Sequence, residues 1–315
     1  MFKAITFTDI HLADKNPASR IDEYTESILN KLEQARDICI KRKVDIALCG
    51  GDVFHNKTPS KNSHYLVSRT IAVLKSFPCP VYSVYGNHDL RQDNISTLPK
   101  QPFYTLVKSD ALIYLNDETF DNGAVRIFGM EYCSFPEEKD FTKANRGEKI
   151  QICVAHVNAS SKFSDLFGEK VYRYQDLKDT SPDIFVFGHY HPDQGIELHN
   201  NKHFINVGSL SRGSLKKDEL DRIPNLGYIE IGDDYSIKCE KIPLNVLMAD
   251  KIFDLEMKDK EEKEQEEIEK FITEMKDKIT VSKNDDIGEK IKSLGTDFEK
   301  NIIDKAMYYY LEKGD

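Results

Sequence analysis

The feature that most constrains the fold is an apolar run at residues 46–49, Ile-Ala-Leu-Cys, that ends in two glycines and then Asp52. A short apolar run bounded by glycines is typical of a buried strand that ends in a tight turn. Such a strand places Asp52 at its carboxyl end, the edge where open α/β sheets bind their ligands. The pattern therefore predicts a functional carboxylate at one edge of a sheet.

Four other strand-like runs also end in residue types that bind metals. They are followed by Asp9 and His11, by Asn87 and His88, by His156, and by His189 and His191. Carboxylate, amide and imidazole donors suit Mn²⁺, Fe²⁺ or Zn²⁺, whereas a soft thiolate site would require cysteines. A single histidine after an apolar strand is more often structural, but chance is a poor explanation for five such runs in order. We interpret Asp52 as a ligand shared by two metal ions, with the other runs supplying the remaining ligands.

The rhythm of the chain predicts an α/β fold with two sheets. Strand-like runs at residues 3–7, 46–49 and 81–85 are separated by helical patterns at residues 21–43 and about 61–76. This alternation indicates parallel strands in a layered domain. The later strand-like runs, with few helices between them, indicate a second sheet packed on the first, and cover residues 112–115, 125–130, 150–155, 184–187, 195–198, 203–207, 228–231 and 237–242. A short helix is predicted within residues 163–177.

The chain changes character at Asp250, and we predict a core of residues 1–249 followed by an appendage of residues 250–315. Residues 251–257 are predicted to form one more strand, and residues 258–267 are almost wholly charged. Apolar stripes at residues 268–279 and 298–309 indicate two further helices, the second opened by a Thr-Asp-Phe-Glu capping box. These stripes either pack lightly on the core or form a docking face for a partner.

Composition argues against several classes of protein. The sequence has no apolar run of about 18 residues, so no membrane-spanning helix is predicted, and its start resembles a strand instead of a signal peptide. The six cysteines lie far apart, which favours reduced thiols in a cytoplasmic protein. Most of the net charge of −10 falls after residue 250, so bulk charge does not indicate nucleic-acid binding. Two divalent ions would nevertheless add positive charge at the cleft.

The five blocks Asp-x-His, Gly-Asp, Gly-Asn-His-Asp, Ala-His and Gly-His-x-His resemble the signature of the calcineurin-like metallophosphoesterases over most of residues 1–210. Within that superfamily the sequence is most similar to the SbcD-type DNA repair nucleases. Three features carry this narrower resemblance: Asp52 is followed by Val-Phe-His55, Arg20 precedes the first helix, and Gly-Ser209 is followed by Arg212. The resemblance implies a four-layer α-β-β-α sandwich, two packed mixed sheets flanked by helices, with a reduced cap after residue 249.

The resemblance also implies a role for each candidate residue. The first ion would be held by Asp9, His11, Asp52 and His191, and the second by Asp52, Asn87, His156 and His189. Three catalytic residues are implied. His88 would protonate the leaving oxygen or stabilise phosphate charge, His55 would contact the scissile phosphate, and Asp89 would orient His88. Arg20 and Arg212 would bind substrate. The ions are expected to be Mn²⁺, with Fe²⁺, Zn²⁺ and Mg²⁺ as alternatives.

The activity implied by the resemblance is that of a Mn²⁺-dependent DNA nuclease of repair or recombination, a 3′→5′ exonuclease on duplex ends and an endonuclease on single strands. Two alternatives stay open: a phosphodiesterase for a cyclic nucleotide or metabolite, and a non-catalytic binding subunit with a structural metal site. The implied partners are DNA, an SbcC-like coiled-coil ATPase, and a second copy of the chain bound through the helix at residues 21–43. Only residues 250–315 follow the core, so docking of the ATPase is an open question.

Overall fold

The structure, a computed structural model, describes residues 1–115, 120–132, 149–163, 165–166 and 169–257. Met1–Ile252 form one compact unit. Its strands are β1 (Phe2–Phe7), β2 (Ile46–Cys49), β3 (Val81–Ser83), β4 (Ile113–Tyr114), β5 (Phe120–Asp121), β6 (Val125–Met130), β7 (Ile150–His156), β8 (Ala159–Ser160), β9 (Asp165–Leu166), β10 (Glu169–Lys170), β11 (Tyr172–Arg173), β12 (Ile184–Gly188), β13 (Gly195–His199), β14 (Lys202–Asn206), β15 (Asn225–Ile231) and β16 (Ile237–Pro243). Its α-helices are α1 (Tyr24–Arg42), α2 (His64–Lys75), α3 (Pro102–Lys108), α4 (Lys217–Leu220) and α5 (Ala249–Ile252).

Two six-stranded mixed sheets organise this unit, which confirms the predicted α/β class. The first sheet has the order β16-β15-β1-β2-β3-β4, in which β1 to β4 are parallel and β15 is antiparallel to both of its neighbours. The second has the order β13-β14-β12-β7-β6-β5, with parallel central strands and antiparallel edges. Phe7 of β1 lies beside Cys49 of β2, so the loops that carry Asp9 and Asp52 leave the first sheet side by side.

The hydrophobic core has a layer between the two sheets and a layer outside each of them. In β1, Phe2 and Ala4 point into the layer between the sheets, whereas Ile5 and Phe7 pack in the layer that contains α1. Side chains alternate across a strand, so one strand contributes to both layers. Strands buried on both faces read as continuous apolar runs, which is why the central strands were recognisable in the sequence.

The first two helices follow from their sequence pattern. Ile28, Leu32, Ala35 and Cys39 of α1 lie three or four residues apart and are buried, together with Leu29, on the face that packs on the first sheet. Lys43 ends the helix in a left-handed backbone conformation. Helix α2 begins after Ser63, whose hydroxyl accepts the N–H of Leu66 at 3.0 Å. Ser63 is therefore the N-cap of α2.

Two predictions are wrong, and both concern strands. The runs at residues 112–115, 228–231 and 237–242 are predicted to lie in the second sheet, but they form β4, β15 and β16 of the first sheet. The short helix predicted within residues 163–177 is a 3-10 helix at Tyr174–Leu177, and the described residues before it form the short strands β9 to β11. Packing decides this conformation, because the Tyr174 ring stacks 4.3 Å from the Phe204 ring on the outer face of the second sheet. Residues 251–257 do not form a strand: α5 ends at Ile252, and one helical turn is enough to bury that side chain.

Several other predictions concern the end of the chain. The helices predicted at residues 268–279 and 298–309 lie outside the described residues, and the domain division at residue 250 stays a prediction. Within the described ranges, no helix is long and apolar enough to cross a membrane. Five of the cysteines lie in those ranges and are free thiols: Cys39, Cys49, Cys79, Cys153 and Cys239.

Candidate metal centre

All seven predicted metal ligands meet where the carboxyl ends of the two sheets' central strands come together. Asp9 and His11 follow β1, Asp52 follows β2, Asn87 follows β3, His156 ends β7, and His189 and His191 follow β12. The parallel orientation of these strands places the loops at one edge of each sheet, as expected for ligand sites of α/β folds.

The backbone of this edge adopts a conformation that most residues avoid. Asp9, His11 and Asp52 have φ angles of 50°, 50° and 51°, and His189 has a φ angle of 89°. Each such residue costs on the order of 1–3 kcal/mol and persists only where the surroundings fix it. Two backbone hydrogen bonds fix the first loops together, because the N–H of Asp9 donates to the Gly51 carbonyl at 3.1 Å and that of His11 to the Asp52 carbonyl at 3.0 Å.

Two glycines allow the loops to approach one another. A Cβ atom on Gly86 would lie 2.1 Å from Oδ1 of Asp52 and 2.5 Å from Cε1 of His156. A Cβ atom on Gly51 would lie 2.7 Å from Nδ1 of His156, and the φ angle of Gly51 is 98°. The glycines therefore belong to the site, since a larger residue would displace candidate ligands.

The first group of donors contains four side chains. Nε2 of His11 lies 2.9 Å from Nε2 of His191 and 3.7 Å from Oδ2 of Asp52. Nε2 of His191 lies 3.7 Å from Oδ1 of Asp9. Asp9, His11 and Asp52 are buried, whereas the His191 side chain is 35% exposed. The group matches the predicted ligands of the first ion and opens to solvent beside His191.

The second group shares Asp52 with the first. Nε2 of His156 lies 3.5 Å from Oδ2 of Asp52 and 3.2 Å from Oδ1 of Asn87. Nδ1 of His189 lies 3.1 Å from the same Asn87 oxygen. Oδ2 of Asp52 thus faces a histidine of each group, which is the geometry expected of a shared ligand.

The hydrogen-bond partners of the second group indicate that it fits a cation. Nδ1 of His156 lies 2.6 Å from the carbonyl oxygen of Gly50. A carbonyl oxygen only accepts hydrogen bonds, so Nδ1 carries the proton of the neutral ring and Nε2 presents a lone pair. That lone pair faces Oδ1 of Asn87 and Oδ2 of Asp52, which are also acceptors. With Asp52 ionised, three lone pairs converge without a proton between them, and a divalent ion would satisfy all three.

Burial controls the charges of the centre. It lowers the pKa of His156 to about 3 and lowers the pKa of His11 well below the usual value, so both rings are neutral and able to bind a metal. Burial, and next the nearby carboxylates of Asp89 and Asp9, raise the pKa of Asp52 well above its usual range. Buried carboxylates that repel one another are costly, and cations between them would relieve that cost.

His55 and His88 lie beside the first group. Their rings stack with centroids 5.3 Å apart, and Nδ1 of His88 lies 2.6 Å from the His55 carbonyl oxygen. This carbonyl holds the ring proton at Nδ1 and leaves Nε2 of His88 for another partner. His11, His55 and His191 line an open groove of about 910 Å³, so the first donor group lies next to a space that can admit a substrate. His156 and His189 of the second group line another pocket of about 320 Å³.

Asp89 does not orient His88, contrary to the prediction. Its buried carboxylate accepts the N–H of Gly86 at 3.0 Å and the N–H of Val53 at 3.2 Å. These bonds join the loop after β2 to the loop after β3. The prediction was wrong because the His55 carbonyl, and not a carboxylate, occupies Nδ1 of His88.

The structure also contradicts the prediction that Arg20 and Arg212 bind substrate. Arg20 is 5% exposed, forms two bonds of 2.7 and 2.6 Å with the Asp22 carboxylate, and donates to the Arg212 carbonyl. Arg212 is 2% exposed and donates to the Arg222 carbonyl at 3.1 Å. Both guanidinium groups stabilise the loop after β14, whose Ser209 hydroxyl donates to the Asp9 carbonyl at 3.0 Å.

Two residues that contact candidate ligands were missed in the sequence. The buried hydroxyl of Thr8 donates to Oδ2 of Asp9 at 2.7 Å, and Oε2 of Glu169 lies 3.1 Å from Nε2 of His189. Thr8 directly precedes Asp9 in the sequence, so its position next to a candidate ligand could have identified it. Glu169 lies 20 residues from His189 on a two-residue strand, and no pattern in the sequence marks it.

Comparison with known families agrees with this centre. The family described as calcineurin-like phosphoesterase matches residues 2–193, a range that includes every candidate ligand from Asp9 to His191. The match covers more than half of the chain, and the chain therefore belongs to the calcineurin-like phosphoesterase family. Membership implies hydrolase activity and dependence on two metal ions.

The relatives are distant. The DNA double-strand break repair protein Mre11 of Methanococcus maripaludis is 24% identical over 178 residues, which are 53% of this chain and 48% of that protein. The alignment thus spans about half the length of that relative.

Solved structures resemble the fold at low sequence identity. A dimetal phosphatase from Danio rerio superposes with a TM-score of 0.51 at 12% identity, over 77% of this chain and 96% of that chain. A novel archaeal phosphodiesterase gives a TM-score of 0.39 at 13% identity, over 76% of this chain and 100% of that chain. The likeness to the phosphatase supports the two-sheet fold.

Proposed function

We propose that this protein is a Mn²⁺-dependent DNA nuclease, a 3′→5′ exonuclease on duplex ends and an endonuclease on single strands, that acts in DNA repair or recombination. The observation that carries the proposal is the pair of donor groups that share Asp52, the first of which lines an open groove. The sequence Asp52-Val-Phe-His55 and the similarity to a repair protein over about half its length support DNA as the substrate.

The residues of the centre have distinct proposed roles. Two divalent ions, when bound, would polarise a phosphodiester and acidify water. His88 keeps its ring proton at Nδ1 on the His55 carbonyl and has Nε2 left for the leaving oxygen or the phosphate. Burial lowers the pKa of His88 to about 4, and the negative charge of a bound phosphate would favour the protonated ring. His55 lines the groove and would contact the scissile phosphate.

The groove suits an extended substrate better than a small one. Its volume of about 910 Å³ lies within the roughly 300–1,000 Å³ typical of small-ligand pockets, so the charges that line the groove, and not its volume, favour one substrate class. Lys15, Lys61 and Lys216 line it and are exposed. Cations beside a catalytic centre can bind the phosphates that flank the one being cleaved. This arrangement supports a polynucleotide over a cyclic nucleotide or a metabolite.

Nuclease assays with a small ester in parallel test the proposal. Linear duplex DNA, circular single-stranded DNA and bis-p-nitrophenyl phosphate are each incubated with the purified protein and Mn²⁺. We expect cleavage of both DNAs, lost with a chelator and in Asp52→Ala. Hydrolysis of the small ester without DNA cleavage would support the small-molecule phosphodiesterase instead, and absence of both activities would support the binding subunit.

We also propose two protein partners, an SbcC-like coiled-coil ATPase and a second copy of this chain. The homodimer contact is assigned to α1, where Ile40 is exposed. Co-purification with a coiled-coil ATPase from the host tests the first partner. Sedimentation analysis of the isolated protein tests the second, and a monomer at micromolar concentration would contradict it.

A further inference from the structure

We propose that Glu169 is a positioning residue that sets the tautomer of His189 and so makes Nδ1 of that ring available to the second metal ion. Oε2 of Glu169 lies 3.1 Å from Nε2 of His189, while Nδ1 of the ring lies 3.1 Å from Oδ1 of Asn87. The inference rests on the proposed two-metal centre and assigns it a residue beyond the predicted ligands.

The two nitrogens of His189 face two acceptors that compete for one proton. An ionised carboxylate only accepts hydrogen bonds, so a neutral ring paired with Glu169 carries its proton at Nε2. Nδ1 then presents a lone pair to the second donor group. Without Glu169, the ring would favour the other tautomer, because a proton on Nδ1 could be donated to Oδ1 of Asn87. A ring protonated at Nδ1 cannot bind a metal through that atom.

The other histidine of the group has the same division of roles. Nδ1 of His156 donates to the Gly50 carbonyl at 2.6 Å, and its Nε2 faces Oδ1 of Asn87 at 3.2 Å. Each imidazole thus keeps its proton on the nitrogen that points away from the donors. For His156 the partner is a backbone carbonyl, which substitution does not remove. For His189 it is a side chain, which mutagenesis can remove.

Glu169 is itself held against the centre. Nδ2 of the buried Asn158 donates to the same Oε2 atom at 2.7 Å, and Asn158 lies two residues after His156 at the end of β7. The backbone of His189 is fixed separately, because its N–H donates to Oδ1 of Asp9 at 3.1 Å. The His189 ring can still rotate about its side-chain bonds, and the hydrogen bond to Glu169 restricts that rotation.

Metal titration of Glu169 variants tests the inference without any substrate. Full-length protein freed of metal by a chelator is titrated with Mn²⁺ in a calorimeter. The wild type should bind two ions per chain. Glu169→Ala should lower the affinity for one of the two ions by about 10–100-fold and leave the affinity for the other unchanged. Glu169→Gln should fall between, because its amide oxygen can still accept the Nε2 proton.

A matched control separates this role from a general effect of losing a surface carboxylate. Oε2 of Glu197 lies 2.8 Å from Nε2 of His199 on the edge strand β13, so Glu197→Gln alters a similar pair outside the donor groups. Both Mn²⁺ affinities should stay at the wild-type values in this variant.

Three results would overturn the proposal, and they are distinguishable. Unchanged affinities in Glu169→Ala would remove the role of Glu169. An equal loss of affinity for both ions, with a lower melting temperature, would show that Glu169 supports the fold. A wild type that binds fewer than two ions would overturn the metal centre itself. Asn158→Ala is a second test that leaves Glu169 in place. This variant should lower the affinity for the same ion to a smaller degree.

Discussion

Gly86→Ala tests whether the close approach of the loops determines the function of the centre. The φ angle of Gly86 is −107°, a value that alanine adopts without strain. The substitution therefore acts through the added methyl group alone. That group would lie 2.1 Å from Oδ1 of Asp52 and 2.5 Å from Cε1 of His156.

The size of the effect follows from these distances. Contacts of a Cβ atom below 3.0 Å essentially do not occur, so Asp52 or the Gly86 backbone must move by about 1 Å. A displacement of about 1 Å in a catalytic group can cost about 10²-fold in rate. Overpacking of a buried site also costs about 1–3 kcal/mol of stability, which lowers the melting temperature by about 2–4 °C per kcal/mol.

The assay is kcat/KM for bis-p-nitrophenyl phosphate, together with bound metal per chain and the melting temperature. We expect a loss of about 10²-fold in kcat/KM with reduced metal content. Gly213→Ala is the control, because its Cβ atom would meet Pro17 and Tyr24 at ordinary distances of 3.7 and 3.9 Å. Wild-type activity and metal content in Gly86→Ala would refute the argument that this glycine holds Asp52 in place.

Two further predictions concern the ligands and the fold. Asp52→Ala should lose both ions, whereas His88→Ala should keep both ions and lose about 10²–10⁴-fold in kcat. Elemental analysis measures the bound metal and steady-state kinetics measures kcat. A metal-free His88→Ala protein would contradict the prediction. Ser63→Ala should lower the free energy of unfolding by about 1 kcal/mol, because the hydroxyl caps α2 through the N–H of Leu66. Chemical denaturation measures the change against Ser68→Ala on the same helix, and equal stability of the two variants would refute the cap.

The positions of the candidate ligands could be predicted because they depend on local patterns. A buried parallel strand is a continuous apolar run, and a polar residue directly after it lies at the sheet edge. Asp52 illustrates this, since Ile46–Cys49 form β2 and the glycines allow the turn that follows. The pairing of His156 and His189 with residues from the other sheet could not be read from the same pattern, and came from the family resemblance.

The errors concern side chains whose partners are distant in the chain. Arg20 bonds to the Arg212 carbonyl, 192 residues away, and Asp89 bonds to the N–H of Val53, 36 residues away. Both partners lie in motifs used above, but a motif does not indicate which backbone group forms a distant hydrogen bond. Glu169 was missed for the same reason, because a short strand places it next to His189 without any periodic signal. Sequence patterns specify where a residue leaves its strand, and packing decides what it contacts.

The hydrogen bonds of the buried carboxylates give an independent argument for Asp52 as the shared ligand. Asp89 accepts several backbone N–H groups, and Asp9 accepts the Thr8 hydroxyl and the N–H of His189. In the part of the chain that the structure describes, Asp52 accepts one N–H at Oδ1, and the neighbours of its Oδ2 are imidazole nitrogens at 3.5 and 3.7 Å. The nearer nitrogen has no proton to give. Of these three carboxylates, Asp52 therefore has the weakest hydrogen bonding, and cations on the two sides of its Oδ2 would satisfy it together with the histidines of both groups.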